Sequence, residues 1–160
     1  MNVMRTLAII IFIAARVAPS AATPVLVLDH SIFAHNGPWK FHIGDTPSWS
    51  SETVDDSGWE TVDLTPRPGA HDGDVGLRNY VPGWSARGHQ GYIGHAWYRM
   101  TLSLADTGNE TLWLAGPADV DNAYQVFFNG NLLGGIGDFS RDPPLVFSIQ
   151  PRMFALPRSL

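Results

Sequence analysis

Cysteine is absent from the 160 residues, and that one absence excludes a disulfide framework, thiolate catalysis and Cys-ligated zinc. Charge is sparse as well: Asp, Glu, Lys and Arg make up 16% of the chain, against about 25% in an ordinary soluble domain. Cations are the scarcest part of it, with Lys40 the single lysine. Duplex and single-strand binders draw most of their strength from Lys and Arg on phosphates, so nucleic acid is excluded as a partner. Helical periodicity is nowhere sustained, and no apolar run reaches the about 20 residues of a membrane-spanning helix.

The longest apolar run is Leu7 to Ala15. It follows a start whose one charge is Arg5, and it leads into the small residues Ser20-Ala21-Ala22. This order is expected of an export leader cut after Ala22, which would place the protein in a periplasmic or extracellular space. An uncleaved amphipathic start is the alternative, because Arg16 closes the run. Residues 1–22 are thus expected as leader and 23–160 as one domain with a single core. Taking Arg5 and Arg16 from the ten basic residues leaves eight against fifteen acidic, a formal charge of −7 that favours solubility.

What is present in quantity is aromatic side chain and turn residue. Six Trp, eight Phe and four Tyr supply the core, while sixteen Gly and twelve Pro punctuate the chain, as in strands joined by many turns. The clearest strand is 96–104, with Ala96, Tyr98, Met100, Leu102 and Leu104 on one face; Trp97, Arg99, Thr101 and Ser103 fall on the other, polar face. Further strands are expected at 25–28, 39–43, 59–64, 111–115 and 145–149. Tyr124 to Phe128 and Asn131 to Leu133 flank Asn129-Gly130, the strongest short hairpin signal, since both turn residues must take positive φ. Trp39, Trp59 and Trp113 are assigned to the core. From Thr65 through Gly94 the chain holds ten glycines and prolines, a long loop of the kind that carries function.

The segments Trp39-Lys40-Phe41, Gly44-Asp45, Asp55-Asp56-Ser57-Gly58-Trp59, Gly94-His95-Ala96-Trp97-Tyr98-Arg99 and Asn129-Gly130 with Gly134, in this order, resemble a jelly-roll of the galactose-binding-like type over about residues 37–157. The resemblance implies an all-β jelly-roll sandwich. Such domains begin glycoside hydrolase family 2 enzymes, are built into sialate acetylesterases and form extracytoplasmic modules of bacterial membrane signalling proteins. Gly83-Trp84-Ser85-Ala86-Arg87-Gly88-His89 with Gln150-Pro151-Arg152-Met153-Phe154 is closer in texture to the signalling branch. The resemblance also implies a further apolar strand after the segment at 147–157. The chain is therefore expected to be a truncated jelly-roll, with any membrane association residing in a missing downstream segment. The catalytic residues of the hydrolases lie in other domains, so no catalytic role is implied here.

The residues themselves agree that no catalytic constellation is assembled. Gly83 to Gly88 has one residue too many for a hydrolase nucleophile elbow, the six histidines show no zinc spacing, and no two carboxylates can be paired from spacing. Gly134-Gly135-Ile136-Gly137 lacks the Lys and following helix of a phosphate loop. Asp55 to Trp59 offers calcium-type oxygens, but Asp and Ser capping their own turn is the favoured reading. No metal and no cofactor is expected. Aromatic and polar residues that stack on and bind sugars are grouped, however: Trp84, Arg87, His89, Tyr92 and His95 share the long loop, and Asp119 and Asp121 alternate beside a strand. The competing readings are that Trp84 and Tyr92 pin the loop as local core and that the Asp119 loop satisfies its own backbone. The expectation is a non-catalytic sensory module binding a small molecule or carbohydrate at these seven residues. An accessory domain of a secreted glycoside hydrolase or esterase, and a structural spacer, are the alternatives.

Overall fold

The computed structural model describes residues 35–71, 73, 76, 78–102, 111–117, 122–146 and 152–157, and the backbone alone of 7–15, 25–26 and 103–104. Across these the protein is all-β, as expected, with two short 3₁₀ turns at Pro47–Ser50 and Trp84–Arg87. The strands are β1 (Leu7–Ala15), β2 (Val25–Leu26), β3 (Trp39–Ile43), β4 (Glu60–Val62), β5 (Gly94–Leu104), β6 (Trp113–Ala115), β7 (Ala123–Phe128), β8 (Asn131–Ile136) and β9 (Met153–Ala155). Seven of them form one sheet in the order β4-β3-β5-β1-β7-β8 with β2 beside β5, while β6 and β9 make a separate two-stranded sheet.

Strand β5 is the keel. Its Ala96, Tyr98 and Met100 are buried with Trp39, Phe41, Val62 and Trp84 in the first core cluster, which follows from the alternation read in the sequence. The opposite face departs from expectation. Trp97 and Arg99 should face water there, yet they are only 2% and 4% exposed. The reason is a lid contributed by distant chain: Trp49 and Trp59 pack with Phe127 against Trp97. Arg99 donates from Nε to Asp56 Oδ2 at 3.0 Å and from Nη1 to the carbonyls of Trp49 and Ser51, with its guanidinium 5.7 Å from the Trp59 ring centre. A charge becomes tolerable in that position because it is paired with a carboxylate and hydrogen-bonded to two backbone carbonyls.

The hairpin forms where Asn129-Gly130 requires it, with φ of 45° and 82° at those two residues and Phe128 opposite Asn131. The register shifts between Val126↔Gly134 and Phe127↔Leu132, which leaves Leu133 as the extra residue of a bulge in β8 beside Gly134, whose φ of 148° suits glycine. Tyr124, Val126 and Ile136 from this hairpin pack with Phe154 of β9 and Leu114 of β6, so the small sheet lies over the hairpin end of the large one. Trp113 corrects the sequence assignment: it is 58% exposed, because the three-residue β6 turns Leu114 inward and its neighbours outward. Strand 59–64 shortens to Glu60–Val62, since Trp59 N–H closes a turn on the Asp56 carbonyl. Leu145 makes a single bridge to Asp138. Residues 147–150, which include the rest of the strand expected at 145–149, lie outside the described residues.

The run Leu7–Ala15, expected as a leader, occupies the middle of the large sheet. It pairs in parallel with β5 from Leu7↔Gly94 to Ala15↔Leu102 and with β7 from Ala8↔Ala123 to Ile13↔Phe128. Among the described residues no helix is long and apolar enough to cross a membrane.

Candidate ligand-binding surface

The long loop crosses the edge of the sheet near β4 and settles on the first core cluster. Its 3₁₀ turn buries Trp84, which packs 6.4 Å from Phe41 and edge-on to Tyr92 at 5.9 Å between ring centres. The indole Nε1 donates to the Tyr92 carbonyl at 3.3 Å, and Tyr92 Oη donates to the His95 carbonyl at 2.9 Å. These two side chains pin the loop as local core, one of the two readings open at the sequence level. Gly88, at φ 104°, ends the turn and lets His89 N–H reach back to the Trp84 carbonyl.

Polar groups line the outer side of this anchor. His89 packs against Phe41, ring centres 5.3 Å apart and planes tilted by 53°, and brings Nε2 to 2.8 Å from Glu60 Oε1, close but without the alignment of a hydrogen bond. Half of the Glu60 side chain remains exposed. Arg87 donates through Nε to the Pro82 carbonyl at 3.1 Å and through Nη2 to the Asp63 carbonyl at 3.0 Å. A guanidinium has five N–H donors in a rigid fork, so these two bonds fix its plane and leave donors directed elsewhere. Trp84, Arg87, His89 and Tyr92 are thus brought together. His95 is not: as an odd-numbered residue of β5 it falls on the Trp97 side and its ring neighbour is Phe139, 6.5 Å away. Asp119 and Asp121 lie outside the described residues.

Two groups that matter here were not singled out from the sequence. Glu60 belongs because β4 pairs with β3 and Glu60 falls opposite Phe41, the ring against which His89 packs; a 29-residue separation from His89 carries no local signal. The second is the aromatic clamp of His42, Trp49, Trp59 and Trp97, with ring centres 4.7 to 6.3 Å apart. Its residues were visible singly, but not as one group.

Among the eight described acids, five are committed to structure. Asp55, Asp63 and Asp138 each accept from the backbone N–H two residues on, and the side-chain and backbone bonds from Ser57, Thr65 and Ser140 hold these carboxyls below their usual range. Asp45 accepts the Trp97 indole at 3.0 Å. Asp55 to Trp59 is therefore a capped turn, with Asp56 given to Arg99. Among the described residues no three His, Asp or Glu side chains converge as a metal site. Burial pushes the Tyr98 phenol up to about 12 and also raises Tyr124.

No family model and no solved structure matches the chain. A candidate beta-glucuronidase of Formosa agariphila is 33% identical over 104 residues, which are 62% of this chain. The chain spans 9% of that protein's length, so the shared part is a small portion of a much larger polypeptide.

Proposed function

We propose that this chain is a non-catalytic, carbohydrate-recognising β-sandwich module of the kind that accompanies glycoside hydrolases. The observation that carries the reading is the similarity to the candidate beta-glucuronidase, confined to a portion of it about the size of one domain. It favours the accessory-domain alternative over the sensory one, for which nothing comparable speaks. Among the described residues, Asp55, Asp56, Asp63 and Asp138 are committed to turns and to Arg99, so these four do not supply the two free carboxyls flanking a bond that acid–base hydrolysis needs.

The surface at the loop face supplies the chemistry of recognition. Trp84 and Tyr92 form a rigid buried footing, and Arg87, His89 and Glu60 present polar groups above it. An oriented guanidinium beside a hydroxyl-binding carboxylate suits an acidic saccharide, with Arg87 taking the uronate carboxylate and Glu60 the ring hydroxyls. The test is a saccharide array and thermal-shift titration of the full chain with glucuronate-containing and neutral oligosaccharides, repeated with Arg87→Ala and Glu60→Gln. A saturable shift with the acidic set, at least tenfold weaker in Arg87→Ala, is the expected result. A folded protein that shifts with neither set refutes the recognition role and leaves the spacer reading.

A further inference from the structure

We infer that the gap between β5 and β7 is a strand-acceptor site, built to take an extended, wholly apolar segment of nine residues in parallel register, and that Leu7–Ala15 is its occupant in the folded chain. Three observations meet here. The run Leu-Ala-Ile-Ile-Ile-Phe-Ile-Ala-Ala contains no polar side chain, so whichever way it alternates, both faces are apolar; that is the composition of a strand buried on both sides of a parallel sheet. It pairs with β5 over its whole length and with β7 over six residues. Finally, β5 and β7 belong to one sheet but do not pair with each other.

The last point gives the site its energy. Neighbouring strands sit about 4.8 Å apart, so β5 and β7, one strand removed, stand roughly 9.6 Å apart, too far to bond directly. With the slot empty, two facing edges would each carry a row of unpaired N–H and C=O groups beside the two apolar faces of the sheet, a costly arrangement that recruits any available strand. The same nine residues that read as a leader are therefore the central strand. A leader core and a fully buried parallel strand share one composition, so only the pairing separates them.

The deciding experiment uses the full chain. Hydrogen exchange followed by mass spectrometry is expected to show amides 8–15 protected together with those of β5 and β7. Ile11→Pro, which removes a central ladder donor, is expected to lower the melting midpoint on the order of 10 °C, whereas Ile11→Val leaves it nearly unchanged. A synthetic peptide of residues 5–16 added to Ile11→Pro is expected to raise the midpoint again, and a scrambled peptide is not. Fast exchange of amides 8–15 in the wild type, with β5 and β7 protected, overturns the inference, as does an Ile11→Pro midpoint equal to wild type. Should Ile11→Pro not fold, the exchange pattern of the wild type decides. None of these readouts depends on sugar binding.

Discussion

Replacing Arg99 by methionine should be among the most damaging substitutions away from the apolar core. The guanidinium is 4% exposed and spends its donors on Asp56 and on the carbonyls of Trp49 and Ser51. Methionine fills much of the volume, so the loss is electrostatic rather than a cavity. Three acceptors lose a charged donor. Asp56, whose side chain is 28% exposed, recovers part of its hydration, while the two carbonyls under the Trp49 lid recover less. Breaking a buried pair by removing one partner costs about 3–5 kcal/mol, which at roughly 2–4 °C per kcal/mol lowers the melting midpoint by about 6–20 °C. Asp56→Asn keeps the cation and both carbonyl contacts, so its cost should be nearer 1–2 kcal/mol. Urea unfolding followed by tryptophan fluorescence is a suitable assay, because Trp49, Trp59 and Trp97 surround the site. Arg99→Lys should recover less than half of the loss, since an ammonium cannot reproduce the planar fork. An Arg99→Met variant less than about 1 kcal/mol below wild type would refute the reasoning and return Arg99 to the polar-face role read from the strand pattern.

Four further outcomes follow from the same structure. Tyr124 Oη is buried with no partner among the described residues, so Tyr124→Phe should be neutral or stabilising by up to about 1 kcal/mol in urea unfolding, since it removes an unpaid desolvation cost. At Gly135 an added Cβ would collide with the Tyr124 carbonyl oxygen and approach Gln125 Cα within 3.0 Å, so Gly135→Ala should destabilise the β7–β8 hairpin by about 1–3 kcal/mol in the same assay. The hydrogen bonds that hold Asp55, Asp63 and Asp138 below the ordinary aspartate value of 3.8 give stability that is present in full above that value and lost as pH falls through the lower folded ones. Unfolding measured from pH 5 downward should therefore show a shallower acid limb in Asp63→Asn than in wild type. At the other end, the Tyr98 phenol, raised to about 12 from 10.0, keeps its proton in the folded state, so its contribution is complete below pH 10 and declines as pH rises from 10 to 12.

Much of the sheet was legible because local chemistry dictates it. Asn129-Gly130 between apolar runs fixes a hairpin wherever it occurs, and the alternation along 96–102 fixes one buried face of β5. The candidate site was legible only in part. Trp84, Arg87, His89 and Tyr92 are near in sequence and arrive together because the 3₁₀ turn Trp84–Arg87 is followed at once by the turns that link His89 to Trp84 and Tyr92 to His89. His95, six residues from His89, was separated from them by strand geometry, which sends alternate side chains to opposite faces. Glu60 could not be seen from the loop at all.

By itself the sequence determined the composition-level facts: no disulfides, and an all-β chain with aromatic cores and turn-capping acids. These follow from residue type and period alone. The tertiary structure decided what needs distant chain: that a second layer covers Trp97 and Arg99, that Trp113 stays outside, and that Leu7–Ala15 lies between β5 and β7. An unbroken apolar run is equally suited to leaving the protein and to standing at its centre, and only its hydrogen-bonding partners distinguish the two.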